Sequence, residues 1–139
     1  MQNVAERVAE VRGRIADAVR AGGHGQAVRL IAVTKTYGPE TVEAAYACGV
    51  QDVGENRVQE ALDKQALVTV PLRWHLIGHL QRNKARALEH FWLMHSLDSA
   101  RLADAVDEAG RRRARPVDAL VQVNVAGEAS KGGWAVSDL

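Results

Sequence analysis

The stretch "LIAVTKTYG", Leu30–Gly38, decides how the rest of the chain is read. Apolar and small residues run straight into Lys35, and turn residues follow. A short apolar run bounded by turn signals fits a buried strand, yet lysine is among the side chains least often found inside a protein. The next segment, "PETVEAAYACG", predicts a helix with Pro39 in its first turn and Gly49 just past its end. Strand, polar tip and helix therefore form one unit.

The same unit recurs outward from this point. "QDVGEN", "LRWHLIG", "FWLMHSLD" and "PVDALVQVNV" read as further strands, and the segments from Arg57, Gln81 and Ser99 read as helices. The strand starts lie about 20 residues apart, the interval of one strand, one crossover helix and two short loops. Near-continuous apolar strands alternating with helices predict a parallel sheet covered by helices, either a (β/α)8 barrel or an open doubly wound sheet. No glycine-rich nucleotide fingerprint follows the first strand. Upstream, Val4, Val8, Val11, Ile15 and Val19 make one helical stripe, with Asn3 as cap and Gly22-Gly23 as stop. At the other end, "GWAVSDL" places Ser137 as the cap of a helix about to begin. Five strand–helix starts are too few for an eight-stranded barrel of ~250 residues, so the expectation is a single domain over 1–139 that is incomplete at its C-terminus.

Composition narrows the function. The chain has 139 residues and a formal net charge of +1, with no global pull toward nucleic acid or a membrane surface. Aromatics are 4%, too few for a base-stacking platform. The run Arg111–Arg115 follows an acidic helix and reads as its solvated, dipole-complementing end. A single cysteine, Cys48, excludes an internal disulfide. With neither an apolar leader nor a bilayer-length stretch, the expected compartment is cytoplasmic.

The chemistry sits at the strand ends: Lys35, Glu55-Asn56, His79 beyond Gly78, Ser96 and Asp98, and Asn124. In a parallel α/β sheet these ends share one face, the one on which active sites are built. A lysine there either snorkels and pairs with Glu55 or presents an amine able to attack a carbonyl and form a Schiff base. His75 and His79 lack an acidic partner at a metal-ligand spacing, so His75 is expected to be a hydrogen-bonded interior residue.

The segments "AVTKTYGPETVEAAYACGVQDVGENRVQEALDK", "RWHLIGHLQRNKAR", "HSLDSARLADAV" and "VQVNVAGEASKGG" resemble the pyridoxal phosphate homeostasis protein family. Members look like alanine racemase N-terminal domains, so the resemblance implies a partial TIM barrel of that type: its first five strands, preceded by a helix. It implies the cofactor pyridoxal 5′-phosphate (PLP), bound covalently by Lys35 as a Schiff base, with Asn56 beside it and His79 and Ser96 facing the same mouth. Glu55 and Gln59 would act as structural supports. Arg57 stands where many members have tyrosine, and the later strands that hold the phosphate in the family lie past Leu139. The implied function is PLP binding and supply to PLP-dependent enzymes, without robust turnover, by a monomeric complete protein that binds neither nucleic acid nor membrane. The alternative is an amino-acid racemase. Residues 1–139 alone are expected to self-associate and to bind PLP more weakly than a complete protein.

Overall fold

The computed structural model describes residues 3–139. It opens with helix α1 (Val4–Gly22), followed by β1 (Ile31–Val33), α2 (Pro39–Ala47), β2 (Asp52–Glu55), α3 (Val58–Gln65) and β3 (Arg73–Leu76). A 3₁₀ segment (Arg82–His90), β4 (Leu93–Leu97), α4 (Ala100–Arg112) and β5 (Ala119–Val121) come next. Two short strands, β6 (Val123–Asn124) and β7 (Trp134–Ala135), and a last 3₁₀ turn (Val136–Asp138) end the chain.

β1 to β5 form one sheet in sequence order, every pair parallel. Alternation along the strands then sorts the side chains. Val53, Trp74, Leu76 and Met94 face the helices and join Val42, Ala61, Leu88, Leu102 and Val106 in one buried cluster. Helical segments therefore cover one face of the parallel arc, the layout of the first five units of a (β/α)8 barrel. The other face carries Asp52, Gly54, Arg73 and His75, since Asp52 lies opposite Arg73 and Gly54 opposite His75.

Local chemistry sets the element ends. Asn3 caps α1 by accepting the Ala5 amide at 3.2 Å, and Gly23 ends it at φ 69 with its amide on the Val19 and Arg20 carbonyls. The α1 stripe is half-buried at all five predicted positions, and the helix packs on α2. Ser99 caps α4 through the Leu102 amide. Arg111 and Arg112 pair with Asp107 and Glu108 one turn back, as a solvated helix end should.

Three sequence expectations need correction. "QRNKARALEH" folds as a 3₁₀ segment over Arg82–His90. The long last strand divides in two: the Gln122 carbonyl accepts the Trp134 amide at 2.8 Å, and β6 pairs with β7 in a second small sheet. Ser137 does not cap a helix; it lies within the 3₁₀ turn, whose N-cap is Ala135.

Candidate functional site

The parallel register brings the ends of β1 to β4 to one edge of the sheet, and the ladder continues past the strands. Thr34 N–H donates to the Gly54 carbonyl at 3.0 Å, and Ile77 N–H to the Glu55 carbonyl at 2.9 Å. Lys35 is the second residue beyond β1, Asn56 the first beyond β2, His79 the third beyond β3 and Asp98 the first beyond β4.

Lys35 is exposed and has no ion-pair partner among the described residues. Glu55, the partner that would have made it a structural lysine, belongs to Lys64. The Lys64 ammonium, 8% exposed, donates all three of its protons: to Glu55 Oε1 at 2.8 Å, to Glu60 Oε1 at 2.9 Å and to the Thr34 carbonyl at 2.6 Å. Thr34 Oγ1 adds a 2.5 Å bond to Glu55 Oε1, whereas Glu55 Oε2 is buried without a partner among the described residues. One glutamate and one lysine thus neutralise each other beneath the turn that carries Lys35. Sequence reasoning missed Lys64 and Glu60, although their four-residue spacing on a predicted helix was the available signal. Gln59, expected as a structural support, donates to Asp63 on the exposed face of α3.

The tips of β2 and β3 touch closely. A side chain at Gly78 would collide with the Asn56 carbonyl oxygen and lie 2.8 Å from its Cα, so Gly78 is what lets the two backbones approach. Asn56 is half-buried there. His79, whose side chain is 69% exposed, bonds through Nδ1 to Asp98 Oδ2 at 3.1 Å, which links the tips of β3 and β4. Ser96 departs from its expected orientation. It alternates with His95 and shares the helix-facing side with Met94; it is 1% exposed and donates its hydroxyl to the Gly78 carbonyl at 2.7 Å. Its side chain stands behind the mouth and fixes the loop that bears His79. Asn124 likewise turns to its own loop, donating to the Glu128 and Lys131 carbonyls.

A second polar cluster, unforeseen from sequence, lies toward the strand starts. Asp52 accepts two bonds from Arg73, Nε at 2.7 Å and Nη2 at 2.6 Å, and pairs with His75 Nε2 at 2.9 Å. The other His75 nitrogen meets His95 Nε2 at 2.9 Å. Arg29 reaches Asp52 Oδ1 at 3.5 Å and stacks 4.4 Å from the Trp92 ring centre. The Arg73 bonds, aided by His75, hold the Asp52 carboxyl at about 2 against the opposing cost of burial. Burial, and then the neighbouring His75, push the His95 imidazole below the usual histidine range. His75 is fully buried with both ring nitrogens engaged, as the interior reading expected.

A groove of about 720 Å³ opens beside this cluster, between α1 and the starts of β1 and β2. Its cations are already engaged: Arg12 with the Cys48 and Gly49 carbonyls, Arg20 with Asp17, Arg29 and Arg73 with Asp52. The exposed Lys35 amine is at the opposite end of the sheet.

Comparison with known proteins agrees with this architecture. Residues 9–139 match the family described as "Alanine racemase, N-terminal domain". The chain is 46% identical to the pyridoxal phosphate homeostasis protein of Pseudomonas aeruginosa over 142 aligned positions, covering 100% of this chain and 62% of that one. It is 42% identical to the protein of that name from Aquifex aeolicus, covering 94% of this chain and 59% of the relative. The solved structure of PipY from Synechococcus elongatus without PLP superposes with a TM-score of 0.85 at 40% identity, over 98% of this chain and 60% of that one. PipY with PLP bound gives 0.80 at 39% identity, with the same coverage. The chain therefore spans about 62% of the Pseudomonas relative's length. With the family match over residues 9–139 and the five parallel strands in order, the chain belongs to the alanine racemase N-terminal domain family.

Proposed function

We propose that this protein binds pyridoxal 5′-phosphate covalently through Lys35 and serves PLP homeostasis without robust turnover. The carrying observation is the exposed Lys35 amine at the parallel strand tips, with Glu55, the carboxylate expected to pair with it as a structural lysine, bound to Lys64 instead. The relatives named above, and the PipY structure with PLP bound, support the same reading.

The residues present fit the group. PLP, when bound, supplies an aldehyde that a lysine amine captures reversibly as a Schiff base, and an electron-withdrawing ring. Lys35 provides the amine. Asn56, half-buried at the next tip, offers an amide that can donate and accept hydrogen bonds. His79, tethered through Nδ1 by Asp98, leaves its Nε2 edge for a polar substituent. Ser96 acts from behind, by holding the Gly78 carbonyl.

Racemisation needs a positioned base on each face of the reacting carbon. Tyr37 lies on the Lys35 turn and Tyr46 on α2, in the same strand–helix unit as the lysine, so a binding role is the better supported one. In the whole protein we assign the downstream step to PLP-dependent enzymes that accept the released cofactor. We place that protein in the cytoplasm as a single-domain monomer, as the family resemblance implies; no helix among the described residues is long and apolar enough to cross a membrane.

The test is PLP titration, borohydride reduction and peptide mapping. The reduced label is expected on the peptide bearing Lys35. A label confined to other lysines such as Lys84 or Lys131, with none on Lys35, would overturn the assignment. Alanine in deuterated water, added to the PLP-loaded protein, should exchange its α-hydrogen no faster than with PLP and a simple amine. Stereospecific turnover on the order of 1–10³ per second would establish the racemase reading.

A further inference from the structure

Two peptide groups flank the Cα of Lys35, and side chains of α3 grip both. The carbonyl on the N-terminal side, that of Thr34, accepts from Lys64 Nζ at 2.6 Å. The amide on the C-terminal side, that of Thr36, donates to Glu60 Oε1 at 2.6 Å. Glu60 and Lys64 are themselves joined at 2.9 Å across one helical turn. The backbone of Lys35 is thus clamped between two groups on one rigid element.

The conformation of Thr36 shows what the clamp does. Its φ is +68, a left-handed value that a β-branched residue seldom adopts. A strained residue persists when its surroundings over-determine it, and here the Glu60 carboxylate does so by accepting the Thr36 amide. Glu60 is the third residue of α3, where a glutamate ordinarily caps its own helix. It reaches across to the β1–α2 turn, and the N-cap position, Arg57, has no side-chain cap bond. The Lys64 bond, followed by the Thr36 amide, keeps the Glu60 carboxyl below the usual range, which favours its charged, accepting form.

We propose that Glu60 is a positioning residue for Lys35: by pinning the Thr36 amide in the left-handed conformation it aims the Lys35 amine into the mouth. This inference rests on the reading of Lys35 as the PLP-capturing amine. Lys64 supports Glu60 and completes the clamp from the other side. Both act through the Lys35 backbone, and displacement of a reacting group by about 1 Å is enough to cost up to ~100-fold in rate.

The experiment compares Glu60→Ala, Glu60→Gln and the double variant Glu60→Ala/Thr36→Gly with the unaltered protein. It reads the exchange rate of the Thr36 amide and the rate at which PLP plus borohydride labels Lys35 relative to exposed Lys131. Glu60→Ala should speed Thr36 exchange and slow Lys35 labelling by roughly tenfold or more, with Lys131 labelling unchanged. Glu60→Gln, whose amide oxygen still accepts the Thr36 amide, should stay close to the unaltered protein. Glycine at 36 adopts positive φ without strain, so the double variant should regain part of the Lys35 rate. Unchanged Lys35 labelling in Glu60→Ala would overturn the proposal, whether or not Thr36 exchange rises. Equal losses in the alanine and glutamine variants would overturn it too, because a charge effect would then suffice. Failure of the underlying reading looks different: the unaltered protein would carry no label at Lys35.

Discussion

The two ends of the sheet use polar residues in opposite ways. At the strand starts, Asp52, Arg73, His75 and His95 satisfy one another: an aspartate, a bidentate arginine and a histidine pair in one chain of short bonds. At the strand tips, buried and half-buried polar groups hold backbone: Lys64 grips the Thr34 carbonyl, Glu60 the Thr36 amide and Ser96 the Gly78 carbonyl. What those bonds hold in place are Lys35, exposed without an ion-pair partner among the described residues, and His79, exposed on a single tether to Asp98. One end is satisfied inwardly and contributes stability. The other leaves Lys35 unpaired among the described residues and His79 on one bond, both on a fixed frame, the division expected between the two faces of a parallel barrel.

If this division is right, the largest stability loss comes from the starts. Asp52→Ala removes the shared acceptor of Arg73 and His75 and leaves a fully buried imidazole nitrogen unpaired. A loss of about 2–3 kcal/mol is expected, typical for losing hydrogen bonds to a charged group and leaving a buried nitrogen unsatisfied, measured as a shift in the urea midpoint. A midpoint within a few tenths of a molar of the unaltered protein would mean that the cluster is not structural.

Acid should find the same end. A carboxylate lowered in the folded state contributes stability that is complete above its unfolded value near 3.9 and disappears as pH falls toward its folded value. For Asp52, held at about 2 chiefly by Arg73, that amounts to roughly 2 kcal/mol lost between pH 4 and pH 2. His95, depressed by burial and by His75, resists protonation in the fold, so its share begins to fall as pH drops below ~6.5. Urea midpoints across this range should show two steps down, and Asp52→Asn should shrink the lower one, leaving the share of Glu60, which Lys64 and the Thr36 amide also lower.

Smaller effects are expected at the tips. Ser96→Ala deletes a buried donor and leaves the Gly78 carbonyl without it, a loss of about 1–2 kcal/mol. It should also weaken PLP capture by freeing the loop that carries His79, which a purely stabilising serine would not do. The sheet edges separate from both ends: Val33 on β1 and Leu120 and Val121 on β5 are about half exposed, and unpaired apolar edges are templates for association. Val121→Lys should lower concentration-dependent self-association in sedimentation velocity and leave PLP capture as it was.

How much of this was legible in the sequence follows the same division. The alternation of apolar strands and helices was readable because each strand is buried against helices. The polar tips were readable because a polar residue closing an apolar run is a local signal. The pairing of those polar groups was not. Glu55 faced two lysines, Lys35 nearby in the expected mouth and Lys64 nine residues on, and only the packing of α3 beside β2 selects the second. Ser96 could have been oriented by alternation with Met94, yet its position at a tip suggested exposure. The Asp52 cluster joins residues from three strands, so its partners become neighbours only once the parallel register is known. The last apolar run could not reveal its own break, which Trp134 imposes from the far side of a loop.

The most direct test sets the two ends against each other in one variant. Lys35→Ala is measured for imine absorbance on adding PLP, with its urea midpoint taken in the same sample. The account predicts that the absorbance is lost while the midpoint stays within about 0.5 kcal/mol of the unaltered protein, since Lys35 is exposed and its side chain makes no ion pair among the described residues. Retained imine absorbance in that variant would contradict it.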